Sequence, residues 1–341
     1  VPYWLPFSDP YVTSKGRLER REMVLLRIRS KSGLEGLGEG VPLSLRGGAE
    51  LEVVAGELEA WGSKAREVGT GFAPLPRSGP ARCAVLTAVA DASAREAGLP
   101  LHAFLSPGST TRGIRCNATL ISGDAESVAS DALRWSEDGF EDFKLKVGPD
   151  SGVEQVRAVR ETVGEDARIR LDANGTWPAS RAAEFISRIE PFDIELVEQP
   201  VPSLEGMASL RRQTGIPLVA DEAVSSEAEA AEAARLDACD AVTVKLSKTG
   251  SLDPTLGGRL PTYLSSALDG PVGIAAAAHV AVTLPRSGRF SDTAQGLATA
   301  RLFCASVALE DAPLEGPWLR VPPGHGLGIE IDEDSLREHR L

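Results

Sequence analysis

From residue 114 onward the chain repeats one pattern, a short apolar run followed by a polar, alanine-rich stretch with helical spacing. The runs are IRCNATLI (114–121), FEDFKLKV (140–147), ARIRLDAN (167–174), FDIELVEQ (192–199), IPLVADEA (216–223), DAVTVKLS (240–247), PTYLSSAL (261–268) and, less clearly, RFSDTAQGLA (289–298). Between them, 124–138, 179–189, 204–213 and 227–236 read as amphipathic helices. Eight strand–helix alternations, at a period of roughly 20 to 30 residues, predict an α/β fold of the (β/α)₈ barrel type. An open, doubly wound sheet is the alternative.

The residues before the repeat have a different texture. A strand–turn–strand pattern runs from Arg17 to Glu39, with KSGLEG as the turn, and helical patterns follow at 49–68 and 81–98. This predicts a small α+β unit over 1–113, a barrel over 114–309, and a glycine- and proline-rich segment, 310–341, that returns to pack on the first unit. The N-terminal stretch YWLPFSDPYVTSKG is expected to be a specificity loop over the barrel mouth.

A chain of 341 residues with 42% hydrophobic and 25% charged residues can bury a large core. The net charge of −13 and a pI near 5.0 argue against a nucleic-acid partner, which would require clustered lysine and arginine. Cys83, Cys116, Cys239 and Cys304 are far apart and lack C-x-x-C spacing, so neither a disulfide framework nor a zinc site is indicated, and a reducing cytoplasm fits. The longest apolar run, Ile274 to Leu284, is too short to span a bilayer and contains His279, so no membrane partner is expected. No signal-peptide pattern is legible.

In barrels the chemistry sits at the C-terminal ends of the strands. Those ends carry Lys144 and Lys146, then Asp172, Glu198, Asp221 and Lys245, each after a run that should be buried. An isolated K-x-K reads most simply as a solvated edge strand, since side chains at i and i+2 share a face and lysines there discourage unwanted pairing. Five successive charged strand ends are harder to explain that way. Three convergent carboxylates repel one another at low dielectric unless a cation sits among them, and all-oxygen ligation favours Mg²⁺ first and Mn²⁺ second.

Together, KLKVG, LDANGTW, VEQPV and ADEAV, with GLGEG and ARCAVLTAVADASAREAGLPLHAFL before them, resemble the barrel and capping-domain motifs of the enolase superfamily, in its muconate-lactonizing-enzyme subgroup. That superfamily is itself a standard example of a Lys or His base working with Mg²⁺. The resemblance implies that Lys146 removes the proton α to a carboxylate, with its amine depressed toward working pH. It implies that Lys144 supports that base and contacts the substrate carboxylate, and that Mg²⁺ on Asp172, Glu198 and Asp221 stabilises the enediolate. Lys245, across the ring, is a second acid/base or a cation beside the enolate. Asn174, Gln199 and Glu222 follow the ligands and are candidates to orient them, although Asn174 in ANG equally suits a turn. Ser265 and Ser266 resemble the segment that contacts the distal part of a substrate, and Gly296 would leave room for a ligand.

His279 lies beyond the seventh strand and reads as structural, unlike the seventh-strand histidine of the mandelate-racemase branch. The eighth strand lacks the D-x-D associated with dipeptide epimerases. GLEGLGEG fails the dinucleotide spacing. The stretch LSSALDGPVGIAAAAHVAVTLP with QGLATARLF resembles the short o-succinylbenzoate synthases of menaquinone biosynthesis, which makes syn-dehydration of a small carboxylate the expected reaction. A muconate-type cycloisomerase and an N-acylamino acid racemase share the same catalytic set. A non-catalytic binding barrel would usually have lost a ligand or a lysine, and none is missing. The family often forms symmetric assemblies, so a homo-oligomer is expected.

Overall fold

The computed structural model describes residues 1–13, 16–30, 32–110, 113–121, 123–148, 152–285 and 288–341. It opens with an antiparallel sheet of β1 (Pro2–Thr13), β2 (Gly16–Arg29) and β3 (Glu35–Gly40), in that order. The expected N-terminal loop is therefore a strand. Tyr3, Leu5 and Phe7 are buried at a two-residue period, while Pro2, Trp4 and Pro6 are half-buried. The prolines that read as loop punctuation are tolerated because β1 is an edge strand, where an N–H need not be paired. The register with β2 shifts between Pro6 and Tyr11, and the chain bulges there.

Helices α1 (Leu51–Val68) and α2 (Gly79–Glu96) cover this sheet, followed by the short α3 (Leu101–Leu105). The Ser78 hydroxyl caps α2 by accepting from the Ala81 N–H. α2 lies directly on the backbone of β3. A Cβ at Gly36 would stand 2.1 Å from the Ala88 carbonyl oxygen, and one at Gly38 would stand 1.9 Å from that of Ala84.

After β4 (Ile114–Arg115) come the barrel strands β5 (Ala118–Leu120), β6 (Asp142–Lys146), β7 (Arg168–Asp172), β8 (Ile194–Glu198), β9 (Leu218–Ala220), β10 (Ala241–Val244) and β11 (Thr262–Leu264). They form one parallel sheet in sequence order. The intervening helices are α4 (Ala125–Glu137), α5 (Gly152–Val163), α6 (Ala179–Ile189), α7 (Leu204–Arg211), α8 (Glu227–Arg235), the one-turn α9 (Leu246–Thr249) and, after β11, α10 (Pro271–Ala281). Their apolar faces pack on the strands in one large core, while Leu196, Val219, Ala241 and Tyr263 of the strands form a separate cluster with Phe290.

The eighth run forms no strand. It closes the ring through two residues, Gln295 bridging Cys116 and Gly296 bridging Ser265. The Gln295 N–H donates to the Arg115 carbonyl at 2.7 Å, and the Gly296 N–H to that of Leu264 at 2.8 Å. A glycine beside a glutamine offers no β-branched side chain to extend the pairing, which explains why the pattern there is weak.

At the end of the chain, β12 (Leu314–Glu315) and β13 (Trp318–Leu319) extend an antiparallel ladder onto β4, and α11 (Glu333–Glu338) follows. The final residues meet β1. The Trp4 N–H donates to the His339 carbonyl at 3.0 Å, and Tyr3 bridges Arg340. Among the described residues no helix is long and apolar enough to cross a membrane, and Cys83, Cys116, Cys239 and Cys304 are free thiols.

Candidate active site

Parallel pairing aligns the ends of the barrel strands, with Lys146 beside Asp172 and Asp172 beside Glu198. Asp221 follows β9 directly and Lys245 follows β10, so the charged strand ends form an arc on one rim of the ring. Asp172, Glu198, Asp221 and Lys245 are all at most 1% exposed, and Lys144 is 7% exposed. The Lys144 ammonium donates at 2.8 Å to each oxygen of Glu198 and lies 3.0 Å from Asp172 Oδ2. Lys245 donates to Asp221 Oδ2.

Burial favours the neutral acid at Glu198 and, although Lys144 opposes it, burial together with the charges of Asp172 and Asp221 holds this carboxyl above the usual range. Burial also works against charge on Lys144, but Asp172 and Glu198 outweigh it and hold its amine well above the ordinary lysine value. Among the described residues no three His, Cys, Asp or Glu side chains are gathered closely enough to hold a metal ion, and lysines engage oxygens of Glu198 and Asp221. The donor set nonetheless fits a hard divalent cation. It comprises three buried carboxylates on adjacent strand ends, with Glu198 feeling the charge of the other two. Asp172, Glu198 and Asp221 would hold such an ion.

Two side chains here were not anticipated from the sequence. Lys248, one turn into α9, donates at 2.9 Å to Asp221 Oδ1, so that carboxylate lies between two lysines. The K-x-x-K spacing was the only available signal. Tyr263, 2% exposed on β11, donates to Glu198 Oε2 at 3.0 Å, and its ring centroid lies 5.6 Å from the Arg170 guanidinium. In PTYLSS it reads as an ordinary strand aromatic, since only barrel closure brings β11 across to β8.

The residues expected to orient the ligands meet the arc through different hydrogen bonds. The Asn174 N–H donates to Asp172 Oδ1 at 3.0 Å, and its amide donates to Glu222 Oε1 at 3.0 Å. Its φ of 46° shows that it also makes the turn. Gln199 Oε1 accepts from the N–H groups of Asp221 and Ala223, at 2.8 and 3.1 Å, and so fixes the backbone that presents Asp221. The Ser266 hydroxyl donates to Asp269 Oδ2 at 2.6 Å. Gly296 does not leave the room expected of it, because a Cβ there would stand 2.5 Å from Ser265 Oγ. His279 is fully buried in α10, accepts from the His102 N–H at 3.0 Å and lies 3.2 Å from the Leu327 carbonyl oxygen. Burial lowers its pKa to about 4, as suits a structural, neutral imidazole.

A cavity of about 510 Å³ opens above the arc. Lys144, Lys146, Asp172, Asn174 and Glu222 line one side of it, with Ser265, Ser266 and Gly296 on the β11 side. Tyr11, Arg21, Pro42, Leu43 and Leu45 complete it from the N-terminal unit. Lys146 is half-buried, with its ammonium 5.1 Å from the centroid of the Tyr11 ring. Tyr11 lines the cavity just after the register shift in β1.

The family model described as Enolase C-terminal domain-like matches residues 127–335. Chloromuconate cycloisomerase of Pseudomonas putida is 30% identical over 98% of this chain and 95% of its own. N-succinyl Arg/Lys racemase from Bacillus cereus superposes with a TM-score of 0.88 at 25% identity, covering 100% of this chain and 96% of that one. Dipeptide epimerase from Cytophaga hutchinsonii, in complex with Mg and the dipeptide D-Ala-L-Val, superposes with a TM-score of 0.85 at 26% identity, covering 99% and 96%. With a capping sheet, a TIM-like barrel and charged strand ends in this order, the chain belongs to the enolase superfamily, in its muconate-lactonizing-enzyme subgroup.

Proposed function

We propose that this protein removes the proton α to a substrate carboxylate and carries out a syn-dehydration that yields o-succinylbenzoate. The observation that carries this reading is an asymmetry between the lysines. Lys146 opens on the cavity, whereas Lys245 is 1% exposed, donates to Asp221 and is not part of the cavity wall. Two-base racemisation needs a working lysine on each face of the substrate. Syn-elimination needs only one.

In this reading Lys146 takes the α-proton as a general base and, as the resulting ammonium, returns it to the departing hydroxyl on the same face, releasing water. The ring becomes aromatic, which drives the step. Lys144 contributes fixed positive charge beside the substrate carboxylate. Asp172, Glu198 and Asp221 would hold a divalent cation, which would supply Lewis-acid stabilisation of the charge that develops on that carboxylate. The eighth run, which closes the ring at Gln295 and Gly296, lacks the D-x-D associated with dipeptide epimerases, which weighs against a dipeptide substrate.

A muconate-type cycloisomerase is the second reading, favoured by the 30% identity to a chloromuconate cycloisomerase. The test is Mg²⁺-dependent turnover of 2-succinyl-6-hydroxy-2,4-cyclohexadiene-1-carboxylate, followed by loss of diene absorbance, with EDTA as control. Turnover abolished by EDTA is expected. No turnover by protein that binds Mg²⁺ would overturn the synthase reading, and lactone formation from cis,cis-muconate would establish the second.

A further inference from the structure

The junction between the capping sheet and the seventh barrel strand holds two buried acids that take no part in the arc. Glu39 on β3 is 3% exposed, and Asp269, just beyond the β11 exit, is 9% exposed. Glu39 Oε1 accepts from the Gly270 N–H at 2.7 Å, at the start of α10, and Oε2 accepts from the Tyr3 hydroxyl at 2.8 Å. Two glycines make room for this carboxyl group. A Cβ at Gly270 would stand 2.5 Å from the Tyr3 hydroxyl oxygen, and one at Gly273 would stand 2.8 Å from Glu39 Oε1 and 3.1 Å from Asp269 Oδ1. Gly273 thus lies against both acids. Asp269 is tied to the cavity, because its Oδ2 accepts from the Ser266 hydroxyl and the Ala267 N–H, at 2.6 and 2.7 Å, and Ser266, Ala267 and Leu268 line the cavity wall. Leu268 in turn packs with Phe7 and Tyr11 of β1.

Around Glu39, β1 supplies Tyr3, β2 supplies Arg21, α2 supplies Cys83, the β11 exit supplies Asp269, and the C-terminal segment supplies Asp311, whose charge acts on Tyr3. Arg21 donates to the Ala267 carbonyl at 3.2 Å, so one positive charge meets two acids here. Burial first, then the charge of Asp269, raise the pKa of Glu39 to about 7, which places its proton close to neutrality. The same two acids and burial push the Cys83 thiol up to about 12. The hydrogen bonds have room for a proton on Glu39. The Tyr3 hydroxyl, which burial and Glu39 hold well above its ordinary value, has the Met23 sulfur as a second acceptor at 3.8 Å. A neutral Glu39 can therefore donate from Oε2 to the Tyr3 oxygen while Tyr3 turns to Met23, and Oε1 keeps the Gly270 N–H.

We propose that Glu39 and Asp269 form a proton-dependent clasp between the capping sheet and the barrel: with a proton on Glu39 the junction is tight, and with both acids ionised their repulsion loosens the first turn of α10 and the cavity wall of Ser266, Ala267 and Leu268. The clasp does not depend on which reaction the arc performs. An acid whose pKa is raised in the folded chain adds stability below its ordinary range, and that stability is lost as pH rises through the folded value of about 7. The alternative is that Glu39 is a fixed structural contact, in which case its loss would be felt equally at every pH.

The experiment is amide hydrogen exchange, read by mass spectrometry on peptides covering 265–278, between pH 5.5 and 8 and corrected for the intrinsic pH dependence of exchange, in wild type and Glu39→Gln. Wild-type protection should fall roughly 10- to 100-fold over this range, as expected when opening returns a carboxyl near 7 to its ordinary value. Glu39→Gln, which imitates the neutral acid, should keep its protection across the range and exceed wild type at pH 8. The same pH dependence in both proteins, or wild-type protection that does not change with pH, would overturn the proposal. If Glu39→Gln does not fold, Tyr3→Phe decides. It removes the donor that favours the ionised carboxylate, so the midpoint of the exchange profile should move to higher pH, and an unmoved midpoint would overturn the clasp.

Discussion

Lys144 and Lys146 are two residues apart on one strand, yet their environments set them different tasks. Lys144 is enclosed by Glu198 and Asp172, which hold its charge firmly, so it is poorly suited to exchange protons. Lys146 meets the cavity and an aromatic face instead. Replacing Lys146 with alanine should lower α-proton exchange into D₂O, read by NMR on a bound substrate or product, by about 10²- to 10⁴-fold with Mg²⁺ affinity retained. Unchanged exchange would remove Lys146 from the base role. The charges themselves were legible in the sequence because each follows a buried run. The Tyr263 contact with Glu198 was not legible, because 65 residues separate the partners and only ring closure brings them together.

At the scale of elements, the tightest constraint is the seat of α2 on β3. In the G-x-G-x-G of β3, the absence of side chains at Gly36 and Gly38 is what lets the helix backbone approach. Gly38→Ala should destabilise the protein by about 1–3 kcal/mol or more, through forced separation of α2 from the sheet. Chemical denaturation would measure it, and a variant with wild-type stability would show that this contact is slack. Helix periodicity located α6 to the residue, since its apolar positions recur every three or four residues. β1 was missed because its prolines and aspartate mimic a loop, and the eighth run was over-read because two bridging residues suffice to close the ring.

For the molecule as a whole, the buried acids of the arc link metal binding to stability. Asp172, Glu198 and Asp221 face one another's charge, and a divalent ion that binds only the folded chain should stabilise it by about 2.7 kcal/mol at a hundredfold excess over its Kd. Thermal unfolding should therefore shift upward by several degrees in Mg²⁺ and return to its starting point with EDTA. A Tm indifferent to both would mean that the arc is neutralised by its lysines alone. The sequence by itself determined the repeat of strand and helix, the order of charged strand ends and the family they belong to, because these depend on periodicity and on residue types within a few positions of one another. Only the tertiary structure decided that Lys146 opens on the cavity while Lys245 does not, that Lys248 and Tyr263 join the arc, that Ser265 fills the space at Gly296, and that Arg21 of the capping sheet lines the cavity. Those depend on which distant segments meet when the sheet curls and the capping strands close over it, and no local pattern encodes that distance.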